Sequence, residues 1–246
     1  MQEAKQTRYT GRFAPSPTGD LHFGSLVAAT ASFLQARSEN GRWLIRIDNI
    51  DPPREKAGSV ASILADLDRL GMRPDEDVQY QADRLGEYEE ARDRLLDESL
   101  AYYCGCARSE LPPGPYPGTC ANGLVAGRKA RSVRLRVAPD PVHFEDLIQG
   151  PLSYDLRNSC GDFVIWRADG LPAYQLATAI DDVNPPISEV VRGADLLDST
   201  PRQISVRQAM RLGSPRYAHI PVARINGKKL SKRNFTTPYL GSIQYQ

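Results

Sequence analysis

The sequence lacks the features of a membrane or exported protein. It has no apolar run long enough to cross a bilayer, and its first residues, MQEAKQTRYTGR, contain no apolar signal-peptide core. We therefore expect a cytoplasmic protein with no membrane partner. Only 4 cysteines occur in 246 residues, and an intracellular protein with so few is not expected to be held together by disulfides.

The sequence also lacks a net excess of charge. Its formal net charge is +1, so any contact with RNA must come from local basic patches rather than from bulk attraction. The candidate patches are residues 128–136, the arginines at 202, 207, 211 and 216, and residues 224–233. With only 3 histidines in the chain, no Ser/His/Asp triad is indicated. A composition of 41% apolar and 25% charged residues is typical of a globular protein.

The order of predicted elements in the first hundred residues indicates an α/β fold. A short strand and a Pro/Gly turn lead to a helix that begins at His22, and residues 42–47 form a second strand. Apolar side chains between Val60 and Leu70 then recur at helical spacing, with Gly71 placed to end the helix, and residues 88–96 predict another helix. This alternation favours a parallel sheet that binds its ligand at the carboxyl ends of the strands, where residues 15–22 would lie.

The patterns further along the chain predict more sheet, a helix and a hairpin. Val133, Leu135 and Val137 alternate with arginines, which predicts a half-buried strand, and residues 163–166 and 173–177 predict further strands. Residues 200–203 form a candidate capping box for a helix that ends at Gly213. Asn226-Gly227 is a strong hairpin signal that would deliver lysines to the loop that follows it.

Three of the cysteines lie close together within a segment that shows no periodicity. Cys104, Cys106 and Cys120 occur within or beside a Gly/Pro-rich stretch, whereas Cys160 stands apart. Residues 104–127 are too few for a domain with its own core, so we predict a metal-clipped insertion. Thiolates suit zinc, and a structural zinc site takes four ligands. The residues alone leave the fourth ligand open between Tyr116, His143 and Cys160.

Two further segments carry the chemistry of a nucleotide site. The first is RFAPSPTGDLHFGS over residues 12–25, in which a helix N-terminus reached through a turn would present N–H groups to an anion. The second is KLSK over residues 229–232, with two lysines around a serine. Together they could hold a triphosphate from two sides. The pair resembles the two ATP-binding motifs of the class I aminoacyl-tRNA synthetases.

Two more sequence motifs make the family resemblance more specific. With RIDNIDPPRE at residues 46–55 and VRGADL at residues 191–196, the chain resembles the catalytic domain of glutamyl-tRNA synthetases. The resemblance is strongest to their shortened paralogues, the glutamyl-Q tRNA(Asp) synthetase family, over about residues 9–237. It implies a Rossmann-type class I catalytic domain with a small zinc-binding insertion. The halves of that domain would be residues 8–103 and 128–237, followed by a tail over residues 238–246.

The resemblance also implies roles for individual residues. Glutamate would be bound by Arg12, Ala14, Ser16, Asp48, Tyr174 and Arg192. ATP, with Mg²⁺, would be bound by His22, Gly24, Ser25, Lys229, Ser231 and Lys232, of which His22, Lys229 and Lys232 would act in catalysis. Zinc would be held by Cys104, Cys106, Tyr116 and Cys120.

The reaction implied is ATP-dependent formation of glutamyl-adenylate, followed by transfer of glutamate to a tRNA. Because no residues remain for an anticodon-binding domain after Lys232, we expect the acceptor to be the queuosine base in the anticodon loop of tRNA(Asp). We also expect a monomer. The alternatives are a shortened glutamyl-tRNA synthetase that charges the 3′ end of the tRNA, and a non-catalytic relic that binds RNA or an amino acid. The sequence departs from the family at Asp48 and Asn49, where glutamate and aspartate are usual, and in the tail over residues 238–246.

Overall fold

The computed structural model describes residues 8–124, 126–222, 224–225 and 228–229. These residues form two compact units. The first takes the described residues of Met1–Ala82, Pro186–Leu196 and Pro215–Gln246, and the second takes those of Asp83–Pro185 and Leu197–Ser214. The sequence-based division at residues 103/104 and 127/128 stays a prediction.

The described residues contain the following helices and strands. The strands are β1 (Thr10–Phe13), β2 (Arg42–Ile47), β3 (Gln79–Tyr80), β4 (Ala101–Cys104), β5 (Ser132–Leu135), β6 (Val142–Asp146), β7 (Gly150–Tyr154), β8 (Phe163–Trp166), β9 (Glu189–Gly193), β10 (Arg216–Ile220), β11 (Arg224–Ile225) and β12 (Lys228–Lys229). The α-helices are α1 (Phe23–Ser38), α2 (Ser59–Arg69), α3 (Leu85–Asp97), α4 (Leu156–Ser159), α5 (Tyr174–Asp181) and α6 (Thr200–Ala209). Short 3₁₀ helices cover Pro52–Arg54, Gln81–Arg84, Arg108–Glu110 and Ala194–Ser199.

The first unit is built on parallel strands, as the sequence predicts. β1, β2 and β3 form one parallel sheet in that order, and α1 and α2 are the crossover helices between them. β9 and β10 form a second parallel pair. β11 and β12 are antiparallel, with Arg224 opposite Lys229.

The core of the first unit packs around Trp43. This side chain of β2 is fully buried, stacks on Phe13 with ring centroids 6.5 Å apart, and meets the edge of Phe33 on α1 at 5.2 Å. Its indole N–H donates to Ser32 Oγ at 3.0 Å. This bond stabilises the fold, since a buried N–H without an acceptor would carry a free-energy cost. Helix α1 is thereby fixed against the face of the sheet.

Helix α2 ends where the sequence predicts. Ile63 and Leu67 are its buried apolar side chains, four residues apart on one face. Gly71 has a φ of +73°, and the N–H of Met72 donates to the carbonyl of Leu67 at 2.9 Å. A left-handed glycine that closes the last turn in this way is a common helix terminator.

The second unit combines an antiparallel sheet with helices. β4, β5 and β8 form the sheet in that order, and β6 pairs with β7 as a hairpin. Helices α3 and α5 are joined by the Tyr88 hydroxyl, which donates to Asp181 Oδ1 at 2.6 Å, and by an Arg84–Asp181 ion pair at 3.0 Å. The buried carboxylate is therefore neutralised and hydrogen-bonded, as burial requires.

Several local predictions are wrong. Residues 173–177 were expected to be a strand, but they lie at the start of α5. The run is only five residues long, which is too short to separate the helical repeat from strand alternation: Tyr174 is 37% exposed, whereas Leu176 and Ala177 are buried.

Helix α6 also differs from its prediction in detail. Pro201 does lie in its first turn, but the N-cap is Ser199 and makes no side-chain bond, so the predicted capping box is absent from this described helix. The helix ends at Ala209, well before Gly213. The left-handed residue that follows is Arg211, with a φ of +58°. Across the described residues, we find no helix with the length and apolarity needed to cross a membrane.

Candidate functional site

Strands β1 and β9 carry the two arginines predicted to bind glutamate. The strands lie side by side, since the N–H of Ser188, just before β9, donates to the carbonyl of Thr10 at 2.8 Å. The Tyr9 hydroxyl also donates to Glu189 at 3.3 Å. Arg12 and Arg192 are each only 5% exposed. The first unit thus buries two guanidinium groups on neighbouring strands, an arrangement suited to an anion with two carboxylates.

The turn after β1 is fixed to the end of β2. The N–H of Asp48 donates to the carbonyl of Pro15 at 3.0 Å, and the N–H of Lys56 donates to that of Pro17 at 3.0 Å. Ala14 is half-buried and Ser16 is exposed within this turn. The structure therefore brings Ala14 and Ser16 close to the backbone of Asp48.

Asp48 is held by a residue that the sequence analysis did not single out. Arg46 Nε donates to Asp48 Oδ1 at 2.7 Å, and both side chains are buried. They lie two residues apart at the end of β2, so they share a face of the sheet. Because Arg12 is the register partner of Leu44 in a parallel pair, Arg12, Leu44 and Arg46 all belong to that face.

Arg192 is held by two aromatic side chains of β10. Its Nε–H donates to His219 Nε2 at 3.0 Å, and His219 is fully buried. Its guanidinium lies 5.9 Å from the centre of the Tyr217 ring, which stacks on the imidazole with centroids 6.1 Å apart. Neither aromatic residue was predicted as part of the site.

The N-terminus of α1 carries the residues predicted to bind ATP. His22 is the N-cap, and its Nδ1 accepts the N–H of Ser25 at 3.2 Å. The other ring nitrogen, Nε2, lies 3.2 Å from Ser25 Oγ. Gly24 lies in the first turn, which contains no acidic residue in this described helix. Such a helix end attracts anions.

The remaining predicted site residues are placed as follows. Tyr174 is the first residue of α5 in the second unit, and 37% of it is exposed. Lys229 is in β12, where only the backbone is described. Ser231 and Lys232 lie outside the described residues. The turn predicted at Asn226-Gly227 lies outside them too, although the strands on either side are paired.

The three clustered cysteines converge in the second unit. The sulfur atoms of Cys104, Cys106 and Cys120 all lie within 4.8 Å of one another. The Tyr116 hydroxyl oxygen is 3.4 Å from Cys104 Sγ and 3.7 Å from Cys106 Sγ. Three soft sulfur donors and one oxygen at this spacing are compatible with a tetrahedral zinc site.

The alternative fourth ligands are found elsewhere. His143 is an exposed residue of β6. Cys160 contacts the carbonyls of Leu156 and Gly161 through its sulfur, and its own carbonyl accepts the N–H of Tyr116 at 2.9 Å. Gly161 has a φ of +63°, and a Cβ there would lie 2.5 Å from the Tyr116 carbonyl oxygen. Residues 160–161 thus support the backbone that carries the tyrosine.

Arg134 provides a positive charge beside the cysteines. Its Nε donates to Cys104 Sγ at 3.3 Å, its guanidinium carbon lies 3.7 Å from the centre of the Tyr116 ring, and its Nη1 donates to the Asp162 carbonyl at 2.7 Å. Burial alone would raise the pKa of the Cys104 thiol, but the hydrogen bonds from Tyr116 and Arg134 lower that pKa to about 7. A thiol with such a pKa is readily deprotonated for metal binding.

The burial of Arg134 contradicts the half-buried strand predicted over residues 133–137. The residue is only 8% exposed, and its neighbours Val133 and Leu135 are buried as well. Strand β5 ends at Leu135, so Val137 lies outside it. The alternating pattern predicted that Arg134 faces solvent, whereas the cysteine cluster and the Tyr116 ring cover it.

The sequence contains partial indications of the site residues that the sequence analysis did not identify. Arg46 and Asp48 are opposite charges two residues apart at the end of a mostly apolar strand, a pattern that puts both on one face. His219 is one of only 3 histidines and lies in a mostly buried strand. For Arg134 the sequence offers only its proximity to the cysteine segment.

Comparisons with known proteins agree with this geometry. The family model described as "tRNA synthetases class I (E and Q), catalytic domain" matches residues 9–113 and 120–241. A glutamyl-Q tRNA(Asp) synthetase of Geobacter sulfurreducens is 49% identical over 236 residues, covering 91% of this chain and 75% of the relative. One of Pseudomonas fluorescens is 46% identical over 241 residues, covering 97% and 80%.

A solved structure shows the same fold. The crystal structure of a glutamate tRNA ligase from Elizabethkingia meningosepticum, in complex with its amino acid, superimposes with a TM-score of 0.82 at 26% identity. The match covers 92% of this chain and 52% of the ligase, so the chain spans about half the length of that enzyme. From the matched motifs, the identity and the shared fold, the chain belongs to the class I tRNA synthetase catalytic-domain family and, within it, to the glutamyl-Q tRNA(Asp) synthetases.

Proposed function

We propose that the protein activates L-glutamate with ATP and transfers the glutamyl group to the queuosine base of tRNA(Asp). The observation that carries this proposal is the pair of buried arginines, Arg12 and Arg192, on neighbouring strands of the first unit. A guanidinium group binds a carboxylate through a bidentate fork, and glutamate supplies two carboxylates. The names of the relatives supply the acceptor, since proteins 46–49% identical to this chain are glutamyl-Q tRNA(Asp) synthetases.

In the activation step, an oxygen of the glutamate α-carboxylate attacks the α-phosphorus of ATP. The bond between that phosphorus and the bridging oxygen breaks, giving glutamyl-adenylate and pyrophosphate. The chain need provide no nucleophile, so alignment of the reactants and stabilisation of charge would account for the rate. In the transfer step, a hydroxyl of the acceptor attacks the activated carbonyl and releases AMP.

Glutamate would be held from several sides. Arg12 and Arg192 would bind its carboxylates through bidentate forks, and Asp48, oriented by Arg46, would accept the ammonium group. Ala14 and Ser16 would line the turn beside Asp48. The assignment of Tyr174 to glutamate rests on the family resemblance alone. Asp48 is one methylene shorter than the glutamate usual at this position, so its contact with the ammonium group would be longer or bridged by water.

ATP would bind at the N-terminus of α1 and at the lysine loop. His22 would donate to the phosphates, with Gly24 and Ser25 presenting the first turn of the helix. Lys229, Ser231 and Lys232 would hold the triphosphate from the other side, where the lysines would neutralise the departing pyrophosphate. Mg²⁺ is expected with the nucleotide, as in other class I synthetases.

The cysteine cluster would hold one structural zinc ion. Cys104, Cys106, Cys120 and Tyr116 are the ligands we assign, because their donor atoms converge. When bound, zinc would clip residues 104–127 and take no part in the reaction. With tRNA as its substrate, we place the protein in the cytoplasm, where it would act as a monomer.

Pyrophosphate exchange tests the activation step directly. Labelled pyrophosphate should be incorporated into ATP when glutamate is present, and neither aspartate nor glutamine should replace it. Exchange without tRNA would support the glutamyl-Q assignment, because full-length glutamyl-tRNA synthetases commonly need tRNA for activation. A complete absence of exchange, with or without tRNA, would refute the proposal in favour of a non-catalytic binding protein.

A further inference from the structure

Arg192 and His219 form a buried hydrogen bond that the proposed binding roles do not include. Arginine Nε is always a donor, so the 3.0 Å bond identifies His219 Nε2 as the acceptor. The ring is then neutral, with its proton on Nδ1. The two residues are register partners on the parallel strands β9 and β10, so the backbone itself places their side chains on one face.

A bond at Nε orients an arginine without occupying the end that binds a carboxylate. It fixes the rotation of the guanidinium and uses none of the donors on the two terminal nitrogens, which form the bidentate fork. The Tyr217 ring, 5.9 Å from the guanidinium, restricts the same group from a second direction. A long side chain is thereby ordered before any ligand arrives, so binding costs less rotamer entropy.

The chemical nature of the acceptor matters as well as its position. An aspartate or glutamate at 219 would also accept from Nε, but it would neutralise the guanidinium and compete with a bound carboxylate. A neutral imidazole orients the arginine and adds no negative charge. His219 is fully buried, so bulk water is not a ready substitute for its acceptor nitrogen.

From this geometry we propose that His219 is a positioning residue for Arg192 and thereby a determinant of glutamate affinity. The inference rests on the proposed function, in which Arg192 binds a glutamate carboxylate. His219 touches no reacting atom in this account. Its loss should therefore change the binding of glutamate and leave the chemical step largely intact.

The test compares two amides that differ in reach. In His219→Gln the side-chain oxygen extends about as far as Nε2 and can accept from Arg192, whereas His219→Asn is too short to do so. His219→Leu removes the acceptor altogether. Glutamate-dependent pyrophosphate exchange on each purified full-length variant gives the KM for glutamate, the KM for ATP and kcat.

We expect the KM for glutamate to rise about tenfold or more in His219→Asn and His219→Leu, since a hydrogen bond of a charged group is lost. The His219→Gln variant should stay within about threefold of the wild type, and kcat and the KM for ATP should change little in all three. Ser32→Ala is the matched control, because it removes another buried hydrogen bond of the same unit, from Trp43. It should lower the melting temperature without changing the KM for glutamate.

The outcomes separate this inference from the proposed function. An active wild type whose KM for glutamate is the same in the Gln and Asn variants would overturn the role of His219 while leaving glutamate activation in place. A kcat that falls with an unchanged KM would also overturn it. A wild type without glutamate-dependent exchange would refute the proposed function and this inference with it.

Discussion

Replacement of Arg134 by methionine should weaken metal binding at the cysteine cluster. Methionine keeps much of the apolar volume but removes the positive charge beside Cys104 and the stacked guanidinium over Tyr116. It also leaves the Asp162 carbonyl without its 2.7 Å donor. The change therefore tests whether this buried arginine supports the ligands or only fills space.

The magnitude follows from the contacts. A hydrogen bond to a charged group is worth about 1.5–3 kcal/mol, and the loss of an outer partner of a metal ligand typically lowers affinity by about 10–100-fold. These ranges agree, since a tenfold change in affinity is about 1.4 kcal/mol. The pKa of the Cys104 thiol should also rise toward its ordinary value, because the Arg134 hydrogen bond helps to lower it.

Competition with a chromophoric chelator at neutral pH measures this affinity. Arg136→Met is the matched control, since Arg136 is also an arginine over a tyrosine ring, Tyr102, at 4.6 Å, and it bonds backbone carbonyls rather than a thiol. We expect Arg134→Met to lose zinc about 10–100-fold more readily than the wild type, and Arg136→Met to retain it. Equal zinc affinity in Arg134→Met and the wild type would refute the reasoning.

Three further changes test other parts of the account. Asp48→Glu restores the residue usual in the family, so exchange activity should be equal or higher, and a large rise in the KM for glutamate would count against Asp48 as the ammonium acceptor. Lys232→Ala should lower kcat for adenylate formation by about a hundredfold, as for other groups that stabilise developing charge, with glutamate affinity by calorimetry unchanged. A loss of affinity instead would show that Lys232 belongs to the amino-acid pocket. Asp75→Asn should destabilise the fold at neutral pH by about 1–3 kcal/mol. Burial would raise the pKa of Asp75, but bonds from Arg37 and the Trp43 N–H lower it. The difference in free energy of unfolding between Asp75→Asn and the wild type, measured with urea, should therefore have its full size at pH values above the ordinary pKa of 3.8. It should disappear as the pH falls through the lowered pKa of Asp75. If the difference in free energy persists in acid, the charge of Asp75 is not its source.

The parallel part of the fold could be predicted because its signals are local. The apolar spacing that buries Ile63 and Leu67, and the glycine at 71 that ends α2, follow directly from the helical repeat. The same reasoning failed for residues 173–177, because five residues with an exposed Tyr174 and a buried Leu176 fit strand alternation as well as the first turn of a helix.

The sequence predicts the residues expected to bind glutamate or metal, but not the residues that support them. Arg12, Arg192 and the three cysteines lie in recognisable strings, whereas their partners act across the fold. Arg46 supports Asp48 through strand periodicity, but His219 meets Arg192 only because β9 and β10 pair in one register. Arg134 meets Cys104, 30 residues away in sequence, and no local pattern encodes that contact.

The most direct measurement is acylation of tRNA(Asp) with radiolabelled glutamate, in matched preparations with and without queuosine. The account predicts ATP-dependent labelling only of the queuosine-bearing tRNA. The label should remain with the anticodon fragment after cleavage between the anticodon arm and the 3′ end. Equal labelling of both preparations, or label at the 3′ end, would contradict the account and identify a shortened glutamyl-tRNA synthetase instead.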